Sequence, residues 1–184
     1  MGTNVNEIDT YAFAYCYSLT SISIPNSVST IGNGVFSYCK SLSSISIPSS
    51  VTSIGNNAFS GCYSLTSIDI PNSVTSIRNW AFADCRSLSS ISIPSSVILI
   101  ESEAFNSCRS LTSITIPNSV TSIRNNAFFC CSSLISIAVD PNNPIYDSRD
   151  NCNAIIETSS NTLMLGCVNT TIQNSVTTIG EGAF

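Results

Sequence analysis

Apolar and polar positions along this chain keep one beat of 23 residues. Phe13, Phe36, Phe59, Phe82, Phe105 and Phe128 mark it, as do Leu19, Leu42, Leu65, Leu88, Leu111 and Leu134 and the cysteines Cys16, Cys39, Cys62, Cys85, Cys108 and Cys131. A fixed period of this length is the signature of a solenoid, in which each unit packs only on its neighbours. Residues 65–87 serve as the type unit. Ser67-Ile68-Asp69-Ile70 alternates polar and apolar β-branched residues, the pattern of a half-buried strand. Pro71 follows and, having no N–H for a ladder, marks the point where the strand leaves its sheet. The same proline stands at Pro25, Pro48, Pro94 and Pro117. Val74 and Ile77 then form a short extended piece, and Phe82 and Cys85, three apart, predict a short helical or 3₁₀ turn. Stacked units would pair their strands in parallel, about 4.8 Å apart.

The beat breaks once. Phe128 and Phe184 are 56 residues apart, two units plus ten. In the inserted material Ala154–Thr158, a Ser159-Ser160-Asn161 turn and Thr162–Leu165 predict a β-hairpin. The chain is therefore expected to be a single solenoid, mainly β, with one parallel strand and one short helical or 3₁₀ turn per repeat. Its parts would be a partial repeat over 1–18, regular repeats over 19–139, an irregular hairpin-bearing repeat over about 140–171 and a partial repeat over 172–184. Because both ends fall in mid-repeat without a polar cap, a longer parent protein is expected.

Composition narrows the chemistry. Of 184 residues 9% are charged and 43% hydrophobic, but no apolar run approaches the 18 or so residues of a membrane span, so no membrane insertion is expected. Met1-Gly2-Thr3-Asn4 has neither the charged nor the apolar region of a signal peptide. A net charge of −5 and six basic residues scattered along the sequence argue against nucleic acid. The absence of histidine removes the usual general base and every imidazole-dependent triad, and with them the case for an enzyme.

The unit Ser-Leu-x-Ser-Ile-x-Ile-Pro-x-Ser-Val-x-x-Ile-x-x-x-Ala-Phe-x-x-Cys resembles the BspA-like leucine-rich repeat, the treponemal-type 23-residue subclass. Asp140-Pro141-Asn142-Asn143-Pro144-Ile145-Tyr146, followed by Asn153–Thr158, resembles the longer hairpin-bearing unit found between regular repeats there. The resemblance implies a right-handed leucine-rich-repeat coil and a cell-surface or secreted protein that adheres to a protein ligand, such as a host or extracellular-matrix protein. A spacer without a ligand of its own is the alternative. Against the ordinary leucine-rich pattern, Ser27, Ser50, Ser73, Ser96 and Ser119 stand near the usual asparagine position.

Several residue sets are candidates for function. The outward strand positions Ser21, Ser23, Ser44, Ser46, Ser67, Asp69, Ser90, Ser92, Ser113, Thr115 and Ser136 would pave one face with hydroxyls, either a binding face or a solvated sheet. Arg78 and Trp80 could form an exposed cation–aromatic spot. The cysteine ladder lacks the paired spacing of a zinc site; neighbouring rungs about 5 Å apart would lie within disulfide reach, but the ladder reads first as small buried hydrophobes. Cys130, Cys152 and Cys167 lie off the ladder, where pairing would be easier. Asp140, Asp147, Asp150, Asn151 and Asn153 lack the spacing and glycine of a calcium loop and are expected to form turns. No cofactor is expected. Asn169-Thr170-Thr171 is a glycosylation sequon that matters only where exported proteins are glycosylated.

Overall fold

The computed structural model describes residues 5–184; the leader reading of Met1–Asn4 lies outside them. Six coils, numbered 1 to 6 by Phe13, Phe36, Phe59, Phe82, Phe105 and Phe128, stack into a mainly β solenoid that is followed by the irregular unit. Each repeated apolar row becomes a column of the core. Val28, Val51, Val74, Val97 and Val120 are at most 1% exposed, as are the Phe36–Phe105, Cys39–Cys108 and Leu42–Leu111 rows, and the Ile31–Ile100 row is at most 3% exposed. The phenylalanines stack face to face, with neighbouring centroids 5.2 to 5.6 Å apart and interplanar angles of 19° or less. Offset-stacked rings of this kind add about 0.5–1.5 kcal/mol per pair beyond their burial.

Two ladders run along the stack where one strand per repeat was expected. The expected ladder passes through single bridges Ser23–Ser46–Asp69–Ser92 and widens to four-residue strands only at β6 (Ser113–Ile116) and β8 (Ser136–Val139). The second uses the Val-x-x-Ile piece. β1 (Glu7–Ile8), β2 (Thr30–Ile31) and β3 (Ser53–Ile54) pair in parallel, as do β4 (Ser76–Ile77), β5 (Leu99–Ile100) and β7 (Ser122–Ile123). The extended piece read as a connector is thus itself a rung.

The expected helical or 3₁₀ turn takes another form. Around Phe36 the N–H groups of Gly34, Phe36 and Tyr38 donate to the carbonyls of Asn56, Ala58 and Ser60 in the next coil, while those of Ser37 and Cys39 close i→i−3 turns on Gly34 and Phe36. Alternate N–H groups are claimed by the neighbouring coil, so consecutive 3₁₀ bonds cannot form. Two residues per coil, four apart, also take positive φ: Tyr11 and Tyr15, Gly34 and Tyr38, Asn57 and Gly61, Trp80 and Asp84, Glu103 and Ser107, Asn126 and Cys130. A left-handed residue every fourth position is incompatible with a helix. Among the described residues the one 3₁₀ segment is Arg149–Asn151, inside the irregular unit.

A serine column locks the coils together. Ser27, Ser50, Ser73 and Ser96 each donate through Oγ to the carbonyl of Val5, Val28, Val51 and Val74 in the preceding coil. Two steps further on Asn143 takes over: its Nδ2 donates to the carbonyls of Pro117, at 2.8 Å, and Val120, at 2.9 Å. Its Oδ1 accepts the N–H groups of Ile145, at 2.9 Å, and Tyr146, at 2.8 Å. Ser119, on the coil just before, holds the one buried side-chain polar atom without a partner among the described residues.

The irregular unit carries β9 (Tyr146–Asp147), β10 (Ala154–Glu157), β11 (Thr162–Gly166) and β12 (Thr178–Ile179) in the order β12-β11-β10-β9. β10 and β11 are antiparallel with a bulge between Ile155 and Ile156; β11 and β12 are parallel. Arg149 ties this unit together. It forks onto Asp147 at 2.7 to 3.1 Å and reaches Asn161 at 2.9 Å and Ser175 at 3.3 Å. The Asp147 bonds raise the guanidinium pKa further above its ordinary value. Tyr146 is buried, and its hydroxyl accepts the N–H of Ile123 at 2.9 Å, satisfying a donor that in a regular stack would meet the next coil. Burial raises the Tyr146 pKa, and the Ile123 bond partly opposes that.

Candidate functional site

All eleven outward strand residues, Ser21 through Ser136, are exposed. The parallel bridges place Ser23, Ser46, Asp69 and Ser92 on adjacent rungs, and Ser113 and Thr115 face Ser136 and Ala138. This face is a row of small hydroxyls interrupted by one carboxylate, Asp69, and ending at Ala138. It offers hydrogen bonds but no anchor of the aromatic or arginine kind that dominates binding energies.

The anchors stand on the turn segments. Tyr15 and Tyr38, one coil apart, stack with centroids 5.4 Å apart and rings 2° from parallel. Tyr17 meets Tyr15 edge-on at 6.1 Å, and Tyr63 meets Tyr38 edge-on at 6.4 Å. The Lys40 ammonium lies between two rings, 4.7 Å from the Tyr17 centroid and 5.7 Å from that of Tyr63. The Arg86 guanidinium caps Tyr63 at 4.6 Å and pairs with Asp84 at 3.0 Å. Gly61 makes room for this cluster: with φ +73°, it would place a Cβ 2.7 Å from the Tyr38 ring. Tyr15 is 56% exposed and Tyr11 59%, so the patch is open to solvent on its coil 1 side.

The residues come together because positions a multiple of 23 apart form one column. Tyr17, Lys40, Tyr63, Arg86 and Arg109 are such a column, alternating ring and cation before ending in two arginines. Basic residues scattered in sequence are therefore aligned in space: three of the six lie on this one line. Reading the residues for core and strand patterns passes over these tyrosines, although the 23-residue offset of Tyr15 and Tyr38 and the 46-residue offset of Tyr17 and Tyr63 were there to find.

Arg78 and Trp80 are not brought together as a cation–aromatic pair. Arg78 reaches Glu101 at 3.3 Å. Trp80 is 41% exposed and borders a shallow depression with Tyr38, Asn57, Asp84 and Glu103, at the edge of the tyrosine cluster. Glu101 is held in turn by the Asn79 backbone and side chain, at 3.0 and 2.7 Å.

From Cys39 to Cys131 the cysteine ladder is buried and structural; its first member, Cys16, is exposed instead of buried as expected, because no coil packs on that side of it among the described residues. The Sγ atoms of Cys39, Cys62, Cys85, Cys108 and Cys131 each donate, at 3.1 to 3.2 Å, to the carbonyl of the phenylalanine one coil back. Burial pushes the Cys39 thiol up to about 11 and that of Cys131 to about 12, and raises Cys62, Cys85 and Cys108 as well. Such thiols stay protonated and unreactive. All nine cysteines are unpaired, Cys130, Cys152 and Cys167 included. In the insertion, Asp140 accepts the N–H of Asn142 and Asp147 is taken by Arg149. Among the described residues no three cysteine, aspartate or glutamate side chains gather as a metal-ion cluster. Asn169 of the sequon is exposed, and its amide donates to the Ile135 carbonyl.

A 23-residue coil with dry Leu, Ile and Val columns defines the class of leucine-rich-repeat solenoids. Within that class, the BspA type leucine rich repeat region matches residues 6–135 in six copies, and the chain belongs to that family. A leucine-rich cell-surface protein from Faecalibacterium prausnitzii is similar at 34% identity and a TM-score of 0.67, over 88% of this chain and 49% of that one. A leucine-rich repeat protein from Bacteroides ovatus shares 36% identity with a TM-score of 0.63, over 67% of this chain and 34% of that one. The T. pallidum leucine-rich repeat protein shares 35% identity with a TM-score of 0.65, over 72% and 62%. The chain spans about half the length of the first of these relatives and about a third of the second. No curated protein matches it.

Proposed function

We propose that this chain is a non-enzymatic recognition and adhesion module of a bacterial cell-surface or secreted protein, and that it holds a protein ligand through the aromatic turn face of coils 1 to 4. The cell-surface relative from Faecalibacterium prausnitzii supports the location. One observation carries the choice of face: the turn segments of coils 1 to 4 gather tyrosines, a tryptophan, a lysine and arginines that differ from coil to coil, whereas the strand face repeats serine. Tyr, Trp and Arg are the side chains over-represented among residues that dominate interface energies. Rings held by stacking, as Tyr15 and Tyr38 are, lose little further conformational entropy on binding. The hydroxyl row, Ser21 to Ser136, is a secondary contact surface in this reading.

The test is binding to immobilised extracellular-matrix proteins and to whole host cells, comparing the native protein with Tyr15→Ala/Lys40→Ala and with Ser46→Arg/Ser92→Arg. Loss of one anchor pair should weaken binding by at least about tenfold, and the serine-row variant should bind nearly as the native protein does. The reverse ranking would move the site to the strand face. Failure of the correctly folded native protein to bind any such ligand would leave the spacer reading.

A further inference from the structure

The turn line of the solenoid is a third hydrogen-bonded ladder, and it stops short of the irregular unit. In coils 1 to 5 three alternate N–H groups of the turn donate to three carbonyls of the next coil. Tyr11, Phe13 and Tyr15 meet Asn33, Val35 and Ser37, and the pattern repeats until Glu103, Phe105 and Ser107 meet Asn125, Ala127 and Phe129. In coil 6 the equivalent donors are Asn126, Phe128 and Cys130, whose N–H groups have no acceptor among the described residues. Clefts of about 280 and 360 Å³ open beside them, both lined by Phe128, Phe129, Leu165 and Gly182. Across the gap the same kind of bond resumes, Gly166 N–H donating to the Ala183 carbonyl at 2.7 Å.

An open row of alternate donors is the edge to which an extended peptide adds. What such a peptide must look like is written in the other five coils. The segment that covers these donors carries carbonyls two residues apart, with Val35 or an alanine (Ala58, Ala81, Ala104, Ala127) in the middle, buried to 3% exposure or less. The wall it would meet is apolar at Phe128, Leu165 and Ala183. We propose that the cleft between coil 6 and the irregular unit binds an extended segment of a partner polypeptide. The segment pairs its backbone carbonyls with the N–H groups of Asn126, Phe128 and Cys130 and sets a small residue over Phe128. This site does not depend on the turn-face reading, which uses different residues and other coils.

The probe is a synthetic peptide of residues 53–61, Ser-Ile-Gly-Asn-Asn-Ala-Phe-Ser-Gly, which copies a segment that fills this role inside the stack. Amide hydrogen exchange on the whole chain should show Asn126, Phe128 and Cys130 exchanging at least about tenfold faster than Glu103, Phe105 and Ser107 when no peptide is present. Saturating peptide should slow those three amides selectively. The same peptide with Trp in place of its alanine should leave them unchanged. Three results would overturn the proposal: a Phe128 amide already as slow as that of Phe105, a peptide that protects none of the three, or protection that grows with protein concentration alone, which would assign the edge to a second copy of this chain. None of these outcomes bears on Tyr15 or Lys40, so the two readings fail separately.

Discussion

Replacing Asn143 with alanine should uncouple the irregular unit from the regular coils. Its carboxamide makes four hydrogen bonds of 2.8 to 2.9 Å, two as donor to the carbonyls of Pro117 and Val120 and two as acceptor from Ile145 and Tyr146. The residue is 9% exposed, so water cannot freely replace the lost partners. At a net value of about 1 kcal/mol per bond, the loss is about 4 kcal/mol. In a stack held by nearest-neighbour interfaces, that cost falls on one joint and does not spread over the whole molecule. Urea unfolding followed by circular dichroism should therefore split, with an early transition for residues beyond about 140 and a later one for coils 1 to 6. Hydrogen exchange should show Ile156, Leu163 and Leu165 losing protection while Phe59 and Phe82 keep theirs. Asn143→Asp sharpens the test. It keeps the acceptor but turns a carboxylate toward two carbonyls, so burial and repulsion raise its folded-state pKa above the unfolded value of about 3.9. A raised carboxyl pKa means that stability is greatest below about pH 4 and is lost as pH rises through the folded-state value. The aspartate variant should thus approach the native protein at low pH and fall away from it at neutral pH. A single transition shifted by less than about 1 kcal/mol in Asn143→Ala would show that Tyr146 and the backbone pairing hold the joint without it.

Four further outcomes follow from the packing. Phe82→Ala, which removes a ring stacked at 5.5 Å on both sides, should cost about 3–5 kcal/mol in denaturant unfolding, and a cost below about 1 kcal/mol would refute the phenylalanine column as core. Gly61→Ala, at φ +73° with its new Cβ 2.7 Å from the Tyr38 ring, should destabilise by about 1–2 kcal/mol and lower the affinity of the turn face; unchanged stability would mean that the left-handed turn is not required there. Protein denatured without reductant should give nine free thiols, while in the native state at pH 8 Cys16 and Cys130 alkylate first and Cys39, Cys62, Cys85, Cys108 and Cys131 do not react. Because burial raises Cys39 to about 11 and Cys131 to about 12 from 9.0, the stability they lend is complete below pH 9 and lost as pH rises from 9 through those values. A stability curve flat from pH 9 to 11 would contradict their burial.

How much of this could be read from the sequence depends on where each structural decision is made. The core columns and the strand face were legible because their identity is decided by burial, and burial recurs every 23 residues. The turn geometry was not. Residues as unlike as Trp80, Glu103, Ser107 and Gly34 all take positive φ, so local preference does not choose that conformation. The bonds to the next coil impose it, and they involve partners about 22 residues away that no local window contains. Asn143 was opaque for the same reason, since the carbonyls it satisfies lie 23 and 26 residues earlier. Both candidate surfaces have their origin in this non-local order. The repeat forces every coil to offer the same backbone donors and the same side-chain columns, which makes the uniform positions uninformative about ligands. Specificity can enter only where a column changes its residue, as Tyr17-Lys40-Tyr63-Arg86 does, or where a ladder loses its partner, as at Asn126, Phe128 and Cys130. A solenoid of near-identical units is in that sense a frame that makes its exceptions visible, and the exceptions here lie at opposite ends of the stack.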